Sequence, residues 1–115
     1  MGKIQDTIWL LTVKCNTPAY PWVKGVLEET LPDRSYVGDS YSFHAKVYDE
    51  ESEFGINCGR VSKLMVWKNE LGHSDRYIIG NYDRGWDILP TNDTEKDVLQ
   101  RILDGLEDTP KQNPE

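Results

Sequence analysis

Strict alternation of side-chain character over residues 41–48 constrains the fold more than any other feature of this sequence. One set of positions is apolar and the other mostly polar: Tyr41, Phe43, Ala45 and Val47 against Ser42, His44, Lys46 and Tyr48. Successive side chains of a β-strand point to opposite faces, so the pattern predicts a strand with one buried and one solvated face. Such a strand is typical of an antiparallel sheet that exposes one side to water.

Two later segments have the composition of strands and follow the first after short connections. Residues 60–68 and 75–83 are rich in β-branched, aromatic and aliphatic side chains, and the polar segment 69–74 separates them. We therefore predict that 41–48 pairs with 60–68 through a loop at 49–59. We also predict that 60–68 pairs with 75–83 through a hairpin at 69–74.

The remaining segments before the C-terminal part give a less uniform pattern. Residues 4–15 alternate and are predicted to form a strand, whereas 22–31 fit a helical stripe slightly better than a strand when judged by local pattern alone. Residues 33–40 are polar and predict a turn. Trp86 and Ile88 are expected to pack back onto the sheet after the bend at the preceding glycine.

A helix is predicted at residues 94–107, begun by Asp93 or Thr94 as the capping residue. Its apolar stripe has the spacing of a helix face: Val98, Leu99, Ile102, Leu103 and Leu106. The predicted fold is α+β, with an antiparallel sheet of four to five strands and one C-terminal helix packed on a face. Residues 1–107 form a single domain in this prediction, and 108–115 form a disordered, acidic, proline-containing tail.

The charge balance limits the class of partner. The chain has 20 acidic and 13 basic residues, a net charge of −7 and a pI near 4.8. Binding to duplex nucleic acid needs a basic surface, so none is expected. No apolar run approaches the roughly 18 residues of a membrane span, so no membrane association is expected either. Two cysteines argue against a secreted disulfide scaffold and predict a soluble cytoplasmic protein.

The densest polar segment is the loop at residues 52–63. Gly55 and Gly59 allow a backbone turn in which N–H groups face an anion, and Asn57, Arg60 and Lys63 are the candidate binding side chains. The loop lacks the Gly-Lys-Ser/Thr ending of a P-loop. Two interpretations stay open: a ligand or partner site, and a tight connection between strands in which the glycines only satisfy geometry.

A second polar cluster begins in the last two residues of the 75–83 strand and contains Tyr82, Asp83, Arg84 and Trp86. Arginine can stack on an aromatic ring and bind a carboxylate or phosphate with two parallel hydrogen bonds. In the predicted sheet these residues meet Arg60 at one edge. The cluster is then either an anion-accepting pocket or an internal salt-bridged brace.

Neither a metal site nor a cofactor is predicted. The possible ligands Cys15, His44, Cys58 and His73 lack the closely spaced pairs that zinc sites use.

Cys58 with His44 as its base is an alternative nucleophilic pair. Nothing in the sequence indicates an activated thiol, so no catalytic residue is predicted.

Three motifs are specific enough to compare with known families: FHAKVYD at 43–49, SEFGINCGRVSKL at 52–64 and YDRGWD at 82–87. In these motifs, and in a preceding Trp22-x-x-Gly25 turn, the chain resembles a family of small uncharacterised proteins. The family occurs in bacteria, mainly Gram-positive ones, and in their phages and mobile elements. The resemblance implies a strand rather than a helix at residues 22–28. It also implies a non-enzymatic accessory domain of phage type.

We therefore expect a small acidic binding protein, not an enzyme, that inhibits a host defence system by occluding a host protein or sequestering a nucleotide signal. The chain has four Trp and six Tyr, which fit a binding surface, where aromatic side chains are enriched, and equally fit a tryptophan-rich core of a small sheet. One alternative is an enzyme or binder that acts on a phosphorylated or nucleotide ligand through Arg60, Lys63 and Arg84. Another is a structural phage component.

Overall fold

The computed structural model describes residues 8–14, 21–33, 37–69 and 77–110. Within these ranges the chain forms a six-stranded sheet followed by an α-helix. The strands are β1 (Ile8–Lys14), β2 (Trp22–Thr30), β3 (Val37–Val47), β4 (Val61–Asn69), β5 (Tyr77–Asp83) and β6 (Trp86–Ile88), and the helix is α1 (Asp93–Glu107). A 3-10 turn at Ile56–Cys58 lies between β3 and β4.

Each strand of the described sheet is antiparallel to the next one in sequence, so the strand order is β1-β2-β3-β4-β5-β6. The predicted pairing of β3 with β4 and of β4 with β5 is confirmed, with Ala45 opposite Leu64 and Leu64 opposite Tyr82. The predicted hairpin at 69–74 lies almost entirely outside the described residues. The α+β class and the helix at the end of the domain are also confirmed.

The predicted number of strands, four to five, is too low, because the described part of the sheet has six. β6 spans only three residues, which is too short for any alternation to be recognised in the sequence. Segment 22–31 is a strand, as the resemblance implied and the local pattern did not, because β1 and β3 both pair with it. The turn predicted at 33–40 is wrong at its end, since β3 begins at Val37.

α1 covers one face of the sheet and forms the core with it. Phe43 lies at the centre of this face, and Leu27, Leu64 and Val66 of the neighbouring strands are buried beside it. The helix contributes its predicted apolar stripe, which is buried throughout: Val98, Leu99, Ile102, Leu103 and Leu106. No helix in the described residues is long and apolar enough to cross a membrane.

The N-terminal end of α1 is held by local hydrogen bonds. Asn92, one residue before the predicted caps, accepts a hydrogen bond from the backbone N–H of Glu95 at 2.8 Å. The Glu95 carboxylate accepts from the backbone and the hydroxyl of Thr91, both at 3.1 Å. Burial, with the nearby carboxylates of Asp39 and Glu95 as lesser causes, raises the pKa of Tyr41 under this end of the helix.

Candidate functional site

Arg60 braces the C-terminal end of α1. Its Nε donates to the carbonyl of Tyr48 at 2.8 Å, and its Nη1 donates to the carbonyls of Glu107 and Thr109 at 2.9 and 2.6 Å. The carbonyls at a helix end have no partner inside the helix, so a guanidinium placed there satisfies them and suits the negative end of the helix dipole. Arg60 therefore braces the helix end through three carbonyl oxygens, which differs from the salt-bridged brace that the sequence suggested.

The side chain of Glu107 closes the same junction from the helix side. Its carboxylate accepts hydrogen bonds from the backbone N–H of Arg60 at 3.0 and 2.9 Å and from that of Val61 at 3.2 Å. A side chain at Gly59 would have to displace this carboxylate, since a Cβ there would collide with it. We call the contacts among Arg60, Val61 and Glu107 the helix latch.

Lys63 and Asp83 face each other across β4 and β5. Their Nζ and Oδ2 atoms are 3.5 Å apart and the two side chains are 36% and 48% exposed, so the pair is a solvent-screened contact of low energy. Beside it, the buried Tyr82 donates its hydroxyl to the carbonyl of Phe54 at 2.9 Å. Trp86 packs edge-on against the Tyr82 ring, with centroids 5.1 Å apart. Tyr82 therefore connects the loop after β3 to β5 and β6.

Asn57 and Arg84 have left-handed backbone conformations at two turns. Their φ angles are 54° and 60°, a region that asparagine tolerates better than arginine does. The Arg84 guanidinium carbon lies 5.9 Å from the centre of the Phe54 ring, and Asn57 is exposed in the 3-10 turn. The three predicted cations thus contact different groups: Arg60 the helix end, Lys63 a carboxylate and Arg84 an aromatic ring.

The sheet face opposite α1 carries a different set of functional groups. Cross-strand partners in an antiparallel sheet point to the same face, with Cβ atoms about 4.5–5.5 Å apart. Two rows of partners cross this face: Lys14, Lys24, His44, Met65 and Asn81 in one, and Trp22, Lys46, Lys63 and Asp83 in the other. We call the surface formed by these two rows the open face, because α1 packs on the other side and Lys14, Lys24 and His44 are solvent-exposed.

Lysines stand directly opposite lysines at two places on the open face. Lys14 is the partner of Lys24, and Lys46 is the partner of Lys63. Like charges directly opposite each other destabilise an antiparallel sheet. With 20 acidic side chains against 13 basic ones, the composition does not force lysines together. Local conflicts of this kind are expected at functional sites, so the open face is a candidate anion site.

Aromatic rings lie beside these lysines. Trp22 stacks on His44 with ring centroids 4.5 Å apart and an interplanar angle of 28°. The Lys46 ammonium is 4.9 Å from the centre of the Trp22 ring, and that of Lys63 is 6.0 Å from it. The open face therefore combines flat ring surface with positive charge, which suits ligands that are both aromatic and anionic.

Two adjoining cavities open on this face, and His44 and Trp67 line both. The first, of about 450 Å³, contains Lys14 and Lys24, and we call it the lysine cavity. The second, of about 280 Å³, we call the carboxylate cavity; its polar lining includes Lys63, Asn81, Asp83 and Asp87. Sites for small ligands typically have about 300–1,000 Å³, so the two cavities together are large enough for a nucleotide.

Lys63 and Asp83 are the two residues of the open face that the sequence predicts as binding residues. The sequence also predicts His44 and Lys46 on the solvated side of a strand, which is their observed side. The available signal was the repetition of lysine at solvated strand positions. Its meaning depends on cross-strand register, which the sequence does not specify.

The residues that the structure describes include only some of the possible metal ligands. Within the described ranges, no three His, Cys, Asp or Glu side chains are grouped so that they could hold a metal ion. Cys15 and His73, two of the four possible ligands, lie outside the described ranges. Cys58 is an exposed free thiol, and His44 is stacked on Trp22.

Comparison with known families concerns the same part of the chain. A family model described as a domain of unknown function, DUF7678, matches residues 21–107. The chain belongs to the DUF7678 family. The DUF7678 match begins one residue before β2 and ends with the last residue of α1, so it includes the helix latch and most of the open face. No curated protein and no solved structure matches the chain.

Proposed function

We propose that this DUF7678 protein is a non-enzymatic binding protein that holds a nucleotide-type ligand on its open face. The observation that carries the proposal is that two pairs of lysines stand opposite each other near the stacked rings of Trp22 and His44. A bound phosphate between two lysines removes their mutual repulsion, and a nucleobase stacks on the neighbouring ring surface. The binding energy then comes partly from relief of a conflict built into the free protein.

The overall charge favours a small ligand over a long polyanion. With a net charge of −7, the protein repels a nucleic-acid duplex at long range, while the lysines attract a small anion over about a Debye length of 8–10 Å. In the phage or mobile-element setting that the resemblance implies, the bound ligand would be a nucleotide signal of a host defence system. Sequestering the signal in the host cytoplasm needs affinity and no catalytic step.

Occlusion of a host protein is a second candidate, favoured by apolar side chains near β6. Phe54 and Leu89 are 53% and 58% exposed, and Trp86 and Ile88 are 37% and 38% exposed. Exposed aromatic and aliphatic groups of this kind are typical of protein interfaces. An enzyme that uses Arg60, Lys63 and Arg84 has less support, because the Arg60 guanidinium is engaged by three carbonyl oxygens.

Titration with a panel of nucleoside monophosphates, followed by NMR chemical shifts, tests the proposal. We expect binding that weakens as salt concentration rises, with the largest shifts at Trp22 and His44. The variant Lys24→Gln should bind roughly fivefold more weakly and melt at the same temperature or slightly higher. It removes one phosphate contact and also a repulsion of about 0.2–1 kcal/mol with Lys14.

Lys96→Gln is the matched control, since Lys96 is exposed on α1, on the other side of the sheet. It removes the same charge and should change neither the affinity nor the distribution of shifts. Two results would contradict the proposal. One is the absence of any shift at millimolar nucleotide, and the other is an equal loss of affinity in the Lys24 and Lys96 variants.

A further inference from the structure

Charge on the open face changes sign from β1 to β6. Lys14 and Lys24 lie on β1 and β2, in the lysine cavity, and Asp83 and Asp87 lie on β5 and β6, in the carboxylate cavity. Strands are spaced about 4.8 Å apart, so β2 and β5 are separated by about 14 Å. The open face is therefore positively charged at β1 and β2 and negatively charged at β5 and β6.

The two cavities also differ in hydrogen-bonding chemistry. Lysine ammonium groups are donors without acceptor capacity, whereas ionised aspartates are acceptors without donors. Asn81, which lies in the carboxylate cavity, has both a donor and an acceptor on its amide. Lys63 is 3.5 Å from Asp83 and partly balances that carboxylate, and Asp87 adds a further negative charge. The carboxylate cavity is thus suited to a neutral group that donates hydrogen bonds.

From this polarity, and resting on the proposed function, we infer the orientation and base class of the ligand. The phosphate lies in the lysine cavity, and the carboxylate cavity holds a nucleobase that carries an exocyclic amino group. Aspartate accepts from such an amino group, and asparagine pairs with the amino edge of adenine through two hydrogen bonds. A base with a carbonyl oxygen at that position places oxygen against carboxylate oxygen and is rejected.

Adenosine and inosine monophosphates are the probes of choice, since they differ only at position 6, an amino group against a carbonyl oxygen, and at the adjoining N1, an acceptor in adenosine and an N–H donor in inosine. We expect the adenosine compound to bind about tenfold more tightly, towards the lower end of the range for discrimination by one well-placed base contact. Cytidine and uridine monophosphates form a second pair with the same expected direction. In Asp87→Asn the ratio of the adenosine affinity to the inosine affinity should fall towards one, because the amide that replaces the carboxylate can donate to the carbonyl of inosine.

Inorganic phosphate, titrated as a separate probe, tests binding in the lysine cavity without a nucleobase. Its affinity should fall in Lys24→Gln and remain unchanged in Asp87→Asn. The matched control is Asp93→Asn, which removes one carboxylate from the exposed first turn of α1 and should leave every ratio unchanged. Equal affinity for the adenosine and inosine compounds in the unmodified protein would overturn the orientation while leaving the proposed function intact. A failure of all nucleotides to bind would overturn both.

Discussion

Replacing Glu107 with glutamine tests the helix latch with almost no change in side-chain volume. The carboxylate accepts from two backbone donors, the N–H of Arg60 and that of Val61, and Val61 is fully buried. Glutamine keeps one acceptor oxygen but presents an NH₂ group where the second oxygen was. Oε2 alone is within hydrogen-bond distance of both N–H groups, so the amide oxygen at that position keeps both contacts, while the NH₂ group replaces Oε1 and turns a donor towards the Arg60 N–H.

The magnitude follows from the two contacts that change. A hydrogen bond to a charged group contributes about 1.5–3 kcal/mol and one to a neutral group about 0.5–1.5 kcal/mol, so loss of the charge weakens both contacts. We therefore expect Glu107→Gln to lower the free energy of unfolding by about 1–2 kcal/mol. For a domain of this size that corresponds to a fall in melting temperature of about 4–8 °C.

The assay is denaturant unfolding followed by tryptophan fluorescence, with Asp108→Asn as the control. Asp108 is the next residue, is exposed and carries the same charge, so its replacement should change stability by less than about 0.5 kcal/mol. Arg60→Met should be similarly destabilising, and the double variant should show coupling with Glu107→Gln, since the two residues share one junction. Equal unfolding midpoints for the Glu107 and Asp108 variants would refute the latch.

Two further results are expected. Gly25→Ala should lower the unfolding free energy by about 1–3 kcal/mol, because the new Cβ would collide with the Thr12 carbonyl and lie 2.6 Å from the Phe43 ring. An unchanged denaturant midpoint would contradict this packing. Since the pKa of Tyr41 is raised on folding, its contribution to stability is complete below the unfolded pKa of about 10 and is lost as pH rises through the folded value. Melting temperature should therefore decline above pH 10 more steeply in the unmodified protein than in Tyr41→Phe, and parallel curves would rule the effect out.

The elements that could be predicted from the sequence are those whose signal is local. Alternation from Tyr41 to Val47 specifies which face of β3 is buried, and the spacing of Val98, Ile102 and Leu106 specifies the buried face of α1. Both periods follow from backbone geometry and need no knowledge of the partner. The short connections then favour pairing between neighbouring strands, which is the order observed.

The contacts that could not be predicted join residues far apart in sequence. Arg60 and Glu107 are 47 residues apart, and their contact depends on the path that the helix takes over the sheet. The predicted sheet brings Arg60 to the cluster at residues 82–86. In the structure the Arg60 guanidinium instead donates to the carbonyl of Tyr48 and to carbonyls at the helix end. The opposed lysines required the register of four strands, and a shift of one residue in any pairing would move them to the other face.

The order of elements along the chain has a consequence for synthesis in the cell. Because every described strand pairs with its neighbours in sequence, the sheet can assemble hairpin by hairpin as the chain leaves the ribosome. α1 is made after β6, so the sheet face that carries Phe43, Leu64 and Val66 stays exposed to water until α1 has left the ribosome. Nascent chains with such a bare apolar face attract chaperones and one another. The latch at Glu107, the last residue of α1, can form only after the whole helix has been made.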